Sequence, residues 1–129
     1  TLMLPSLYQA LLQGKDIDRK ELQVIILAGE EFPNELIALH FAKHPKIRLF
    51  NEYGPTEGTV WCTVQEVMEG DSFHRVPIGL ASNNTLAYIL DENQELVPAG
   101  IPGELCIAGA GLVKGYLAEA DSVGKFTVS

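Results

Sequence analysis

The sequence predicts an α/β protein: a β-α-β piece of a parallel sheet, followed by a mainly β part that forms a bent sheet or partial barrel. Three observations carry this. Residues 22–27 are a β-branched-rich run that stays apolar without alternating, the pattern of a strand covered on both faces in a parallel sheet. Residues 47–50 are a second short apolar run, with an amphipathic helical pattern between the two. From Pro77 onward the texture changes to short apolar stretches separated by turn residues, the spacing of β-hairpins rather than of further β-α-β units.

The elements follow in order. Residues 1–5 form an apolar entry that stops at Pro5. Ser6 is placed to cap a short helix whose Leu7, Tyr8, Leu11 and Leu12 share one face, and Gly14 ends it. Residues 15–21 read as a charged connector. After the first strand, Ala28-Gly29-Glu30-Glu31 turns the chain. Pro33 suits the first turn of a helix, and Leu36, Ile37, Leu39, His40, Phe41 and Ala42 give that helix its apolar side up to the break at Pro45. Residues 47–50 are the second strand, 59–64 a further strand candidate, and 68–76 a polar loop. Short strands at 85–90, 96–97 and 104–108 then alternate with turn residues. The 129 residues form a single piece, with an α/β part over 1–65 and a mainly β part over 66–129.

The totals exclude several classes. A hydrophobic fraction of 47% and a charged fraction of 20% are those of a soluble globular chain, not a disordered one. No apolar run reaches membrane-spanning length and no basic-then-apolar leader opens the chain, so a cytoplasmic protein without a membrane partner is expected. Cys62 and Cys106 lie in apolar runs without metal-ligand spacing and read as small core hydrophobes in a reducing compartment. Residues 51–129 carry three basic side chains (Arg75, Lys114, Lys125) against eleven acidic ones, whereas 1–50 balance, so the second half holds the whole net charge of −8. That sign repels nucleic acid and anionic membranes, and does little by itself to attract a nucleoside triphosphate. His40, His44 and His74 have no cysteine or carboxylate at metal spacing, and surface or capping roles are expected of them. Ser6, Ser72, Ser82, Ser122 and Ser129 sit in no nucleophile elbow, so a hydrolase triad has nothing to stand on.

The chemistry is concentrated in residues 50–59, Phe-Asn-Glu-Tyr-Gly-Pro-Thr-Glu-Gly-Thr, directly after the second strand. Gly54-Pro55 breaks a helix or a ladder, so the stretch turns at the strand's carboxyl end, the edge where open α/β sheets bind ligands. An aromatic face can stack on a purine and a threonine hydroxyl can donate to phosphate. A neighbouring carboxylate can hold Mg²⁺, which binds through one or two carboxylates plus substrate phosphates. An ordinary strand-to-turn connection with a solvated glutamate is the plainer alternative.

Asn51-Glu52-Tyr53-Gly54-Pro55-Thr56-Glu57 resembles the Asn-x-Tyr-Gly-Pro-Thr-Glu signature of adenylate-forming enzymes, most closely the adenylation (AMP-binding) domains of nonribosomal peptide synthetases. A second stretch, from Gly103-Glu104-Leu105 to Lys114-Gly115-Tyr116-Leu117, resembles a later signature of the same family, departing from it at Ala110 and Lys114. Its glycines read as structural, which makes it a fold marker. The resemblance implies that Tyr53 stacks on adenine, Asn51 holds the exocyclic amine, Thr56 touches the α-phosphate and Glu57 holds Mg²⁺, with Thr56 and Glu57 as the catalytic pair. It also assigns Gly29, Glu30, Glu52 and Gly54 to the nucleotide site, Ala28-Gly29-Glu30 matching the family's Gly-Gly-Glu segment. Met3, Ile26, Ala28, Glu52, Val60 and Trp61 become the wall of an amino-acid pocket. Glu52 can pair there with a basic or hydroxyl-bearing substrate side chain, or face outward. The amino-acid class stays open, leaning hydrophobic.

The resemblance further implies parts that these residues do not contain. They are a phosphate loop with its lysine, an aspartate for the substrate amine, a ribose-binding aspartate and a catalytic lysine. The chain is therefore expected to be an internal piece of a large N-terminal subdomain, inactive alone. Its parent is expected to be an ATP-dependent ligase activating an amino acid, beside carrier (phosphopantetheine) and condensation domains. An acyl- or aryl-CoA ligase fragment and a non-catalytic adenine-binding module are the alternatives, separable by the sequence on either side.

Overall fold

The computed structural model describes residues 1–14, 21–118, 122 and 124–126. It divides into two compact units, one of Thr1–Tyr53 with Thr63–Leu80 and the other of Gly54–Cys62 with Ala81–Ser129. The charged connector expected at 15–21 lies, except for Glu21, outside the described residues.

The first unit opens with β1 (Leu2–Met3) and α1 (Pro5–Gln13), then runs through β2 (Val24–Ala28), α2 (Glu35–Lys43), β3 (Arg48–Tyr53) and β4 (Thr63–Val67). The strands stand in the order β1-β2-β3-β4, with the two-residue β5 (Leu80–Ala81) beyond β4. β2 pairs with β3 in parallel, Val24 opposite Arg48 through Ala28 opposite Glu52, as the β-α-β reading requires. β4 returns antiparallel to β3, so the sheet is mixed. Tyr8 and Leu12 of α1, and Leu36 and Ile37 of α2, pack with Ile25, Leu27, Leu49 and Val67 into one sealed core. Full burial of such a side chain stabilises by roughly 1.5–3 kcal/mol. Both helices cover the Ile25 and Leu27 face. Val24, Ile26 and Ala28 lie on the other face and are half-buried.

Two local expectations are corrected by the structure. Ser6 does not cap α1: Leu4 is the N-cap and Pro5 takes the first helical position, where its missing N–H costs nothing. The Ser6 N–H and hydroxyl instead donate to the Glu30 carboxylate, each at 3.0 Å, so a side chain 24 residues away satisfies the helix start. The strand expected at 59–64 begins only at Thr63 and runs to Val67, because a 3₁₀ turn (Thr56–Gly58) and a positive φ at Thr59 occupy the preceding residues.

The second unit holds that turn and a two-stranded sheet of β6 (Thr85–Leu90) and β7 (Glu104–Gly109), antiparallel from Thr85 opposite Gly109 to Leu90 opposite Glu104. Between the strands, the Asp91 carboxylate accepts the backbone N–H groups of Asn93 and Glu95 at 2.8 and 2.9 Å, an Asx-type turn. The expected strand at 96–97 reduces to a single bridge between Leu90 and Leu96. The chain is thus an α/β fragment with a β hairpin, with no closed barrel among the described residues. No helix among them is long and apolar enough to cross a membrane.

Candidate functional site

Because β2 and β3 are parallel, the turn at Gly29 and the end of β3 at Tyr53 open on the same edge of the sheet. Gly29 has φ +85°, a backbone conformation that only glycine takes without strain. Along β3 the side chains alternate, so Asn51 and Tyr53 share one face and Glu52 takes the other. Asn51 is buried, and its Nδ2 donates to the Pro77 carbonyl at 2.8 Å. That bond orients the amide and leaves Oδ1 as its acceptor end. Tyr53 is 40% exposed, so its ring is available to a ligand.

Glu52 lies opposite Ala28 in the parallel register, with Ile26 two residues before Ala28 on the same side of β2. These three predicted pocket residues are thereby brought together. Met3 is not among them: it is registered with Leu27 and packs against the core cluster. Glu52 is 9% exposed, its Oε2 is buried without a hydrogen-bond partner, and burial raises its carboxyl above the usual range. Glu30 has its carboxylate engaged by Ser6, as described above.

The motif continues in the second unit. A side chain at Gly54 would drive its Cβ into the Trp61 backbone, so packing already demands glycine there. Thr56 and Glu57 lie on the 3₁₀ turn. The Tyr116 hydroxyl donates to Glu57 Oε1 at 2.9 Å, and Lys125 Nζ lies 4.0 Å from the same oxygen. Hydrogen bonding from the residue's own backbone, then from Tyr116, holds the Glu57 carboxyl below the usual range; the Lys125 charge adds to this and burial works against it. The Val113 N–H donates to the Glu57 carbonyl at 2.9 Å, and the Thr59 hydroxyl donates to the Gly111 carbonyl. Val60 and Trp61, the remaining predicted pocket residues, are exposed. Gly58, Cys62, Ile107 and Leu112 line a shallow hollow open to solvent.

The divalent cation implied at Glu57 finds a fitting donor. The carboxylate is ionised, its side chain is 18% exposed, and the Thr56 hydroxyl is its chain neighbour. Among the described residues no cluster of three or more His, Cys, Asp and Glu could hold a metal.

Two residues that touch Glu57 escaped the sequence reading. Tyr116 belongs to the stretch taken as a fold marker, and Lys125 lies 68 positions beyond Glu57 in a segment without a motif. His40 is also not at the surface: it is fully buried, between Tyr8 and the Ile47 carbonyl. Only its place on the helix's apolar side hinted at that.

A family model described as AMP-binding enzyme matches residues 1–117. Bacitracin synthase 3 of Bacillus licheniformis is 45% identical over 120 residues, which cover 93% of this chain and 2% of that protein. Tyrocidine synthase 3 of Brevibacillus parabrevis is 43% identical over 114 residues, covering 88% of this chain and 2% of that one. The chain thus spans only 2% of the length of each of these relatives. Among solved structures, PA1221, a nonribosomal peptide synthetase protein containing adenylation and PCP domains, superposes with a TM-score of 0.85 at 27% identity, over 98% of this chain and 26% of that one. The nonribosomal peptide synthetase FmoA3 in its AMPPNP-bound form gives a TM-score of 0.87 at 26% identity, over 98% of this chain and 14% of that one.

Proposed function

This chain belongs to the AMP-binding enzyme family, and we propose that it is part of an adenylation domain that joins an amino-acid carboxylate to the α-phosphate of ATP, releasing pyrophosphate and forming aminoacyl-AMP for transfer to a phosphopantetheine carrier. The observation that carries the reading is the order of groups at the end of β3. An acceptor amide oriented by Pro77, an exposed aromatic ring, a hydroxyl and an ionised carboxylate follow one another from Asn51 to Glu57. Asn51 Oδ1 would accept from the adenine amine, Tyr53 would stack on the ring, and Thr56 would donate to the α-phosphate. Glu57 would hold Mg²⁺, which when bound supplies positive charge against the phosphate oxygens. Gly29 supplies the positive φ of the turn after β2, Gly54 makes room for the Trp61 backbone, and Glu30 steadies α1 through Ser6. Ile26, Ala28 and Glu52 would line the amino-acid pocket. Carrier and condensation domains are the expected partners.

Adenylate formation has a highly anionic transition state that needs cations aimed at the phosphates. The phosphate loop with its lysine, the ribose-binding aspartate and the catalytic lysine that the resemblance implies are not among these 129 residues, which alone are expected to give no ATP–pyrophosphate exchange. In the whole protein, exchange should depend on one or a few amino acids, and Glu57→Gln should lower kcat more than it raises the ATP KM. Thioester formation with coenzyme A from an acyl acid, without amino-acid-dependent exchange, would move the reading to a CoA ligase. AMP binding without either activity would leave a binding module.

A further inference from the structure

The stretch Gly111–Tyr116 reads from sequence as a fold marker, yet three of its hydrogen bonds meet on one turn. The Val113 N–H donates to the Glu57 carbonyl at 2.9 Å, the Gly111 carbonyl accepts from the Thr59 hydroxyl, and the Tyr116 hydroxyl donates to Glu57 Oε1 at 2.9 Å. Tyr116 is itself placed twice: its N–H donates to Ser122 Oγ at 2.9 Å, and its ring meets Phe126 edge-on at 6.5 Å. The turn it grips is under strain, since Thr59 has φ 71°, an outlying conformation for a β-branched residue. A turn strained in this way keeps its shape only when its surroundings over-determine it. Here the Gly111–Tyr116 arm provides two backbone anchors and one contact to the carboxylate itself.

We propose that Tyr116 is a positioning residue: the Gly111–Tyr116 arm delivers its hydroxyl to Glu57 Oε1 and so orients the carboxylate to offer Oε2 to a divalent cation carried with the nucleotide phosphates. This rests on the reading of Glu57 as the cation's ligand. A ligating carboxylate with a fixed hydrogen-bond partner needs no reorientation on binding, and outer partners of this kind typically matter ten- to a hundred-fold in metal affinity. A purely structural arm would need the backbone anchors but not a phenol oxygen on the carboxylate.

The test uses Mn²⁺ as the probe, in the whole protein saturated with a non-hydrolysable ATP analogue, with free Mn²⁺ read by its paramagnetic resonance signal. Tyr116→Phe keeps the ring against Phe126 and removes only the hydroxyl. It should weaken Mn²⁺ binding roughly ten-fold. Glu57→Gln should weaken it at least as much, and the double variant should be no worse than Glu57→Gln alone, because Tyr116 acts on the cation through Glu57. Exchange activity of Tyr116→Phe should recover as Mg²⁺ is raised, which a packing defect would not do. Wild-type Mn²⁺ affinity in Tyr116→Phe overturns the proposal, as does full additivity in the double variant. Unchanged affinity in Glu57→Gln would remove the ligand role of Glu57 and this proposal with it. A loss in Glu57→Gln with none in Tyr116→Phe would overturn this proposal alone.

Discussion

The Tyr8 hydroxyl donates to Nδ1 of His40 at 2.6 Å, joining α1 to α2 at a point where both side chains are sealed from solvent. The direction of the bond follows from the other side of the ring. His40 Nε2 lies 2.8 Å from the Ile47 carbonyl, which can only accept, so Nε2 carries the proton of a neutral imidazole and Nδ1 is the acceptor. Tyr8→Phe keeps the ring and strands Nδ1 without a partner in the core. It should destabilise the chain by about 1–3 kcal/mol, the cost of an unmet buried polar group. Chemical denaturation at neutral pH checks this, and a change below a few tenths of a kcal/mol would refute it.

The same histidine makes stability depend on pH. Burial, the larger cause, and the nearby His44 lower its pKa from 6.5 against the opposing effect of the Ile47 hydrogen bond. The unfolded chain therefore binds a proton first as the pH falls. The contribution of His40 is whole above its unfolded value of 6.5 and is lost as the pH drops through the lower folded value. Melting temperatures of wild type and His40→Gln should therefore converge as the pH is taken from about 7.5 to about 5. Parallel curves would mean that His40 does not titrate with unfolding.

Glu52 gives the opposite sign to a carboxylate. Its pKa is raised from 4.5 by burial, and Oε2 has no partner. The cost of keeping it ionised is complete above the raised folded value and disappears as the pH falls to 4.5 and below. Glu52→Gln should stabilise the chain at neutral pH, on the order of 1 kcal/mol, and confer no advantage near pH 4. Such a stability gain would fit the pocket role proposed for Glu52, because function can retain groups that packing alone would not. An equal gain at both pH values would show that shape, not charge, is responsible.

Tyr53 tests the nucleotide reading. A stacking ring contributes equally to ground and transition states, so Tyr53→Ala in the whole protein should mainly raise the ATP KM, by the ~1–3 kcal/mol that base stacking is worth. The ring is 40% exposed, so the melting temperature should hardly move. A fall in melting temperature with proportional loss of every kinetic constant would make Tyr53 a turn residue and nothing more.

Local sequence was enough to place the β-α-β piece, the hairpin strands and the turn at Gly54-Pro55. Each is written in a run of neighbours: apolar stretches for β2 and β3, a helical stripe for α2, and turn residues between β6 and β7. The order of groups from Asn51 to Glu57 was legible for the same reason. Contacts between distant residues decided what the sequence could not. Ser6 looked like a cap until Glu30, 24 positions on, proved to satisfy the start of α1. His40 looked peripheral until Tyr8, 32 positions earlier, met it in the core. Tyr116 stands 59 positions from the carboxylate it touches. Backbone periodicity reports which face a residue occupies, but a hydrogen bond between side chains from separate elements exists only once packing has brought those elements together.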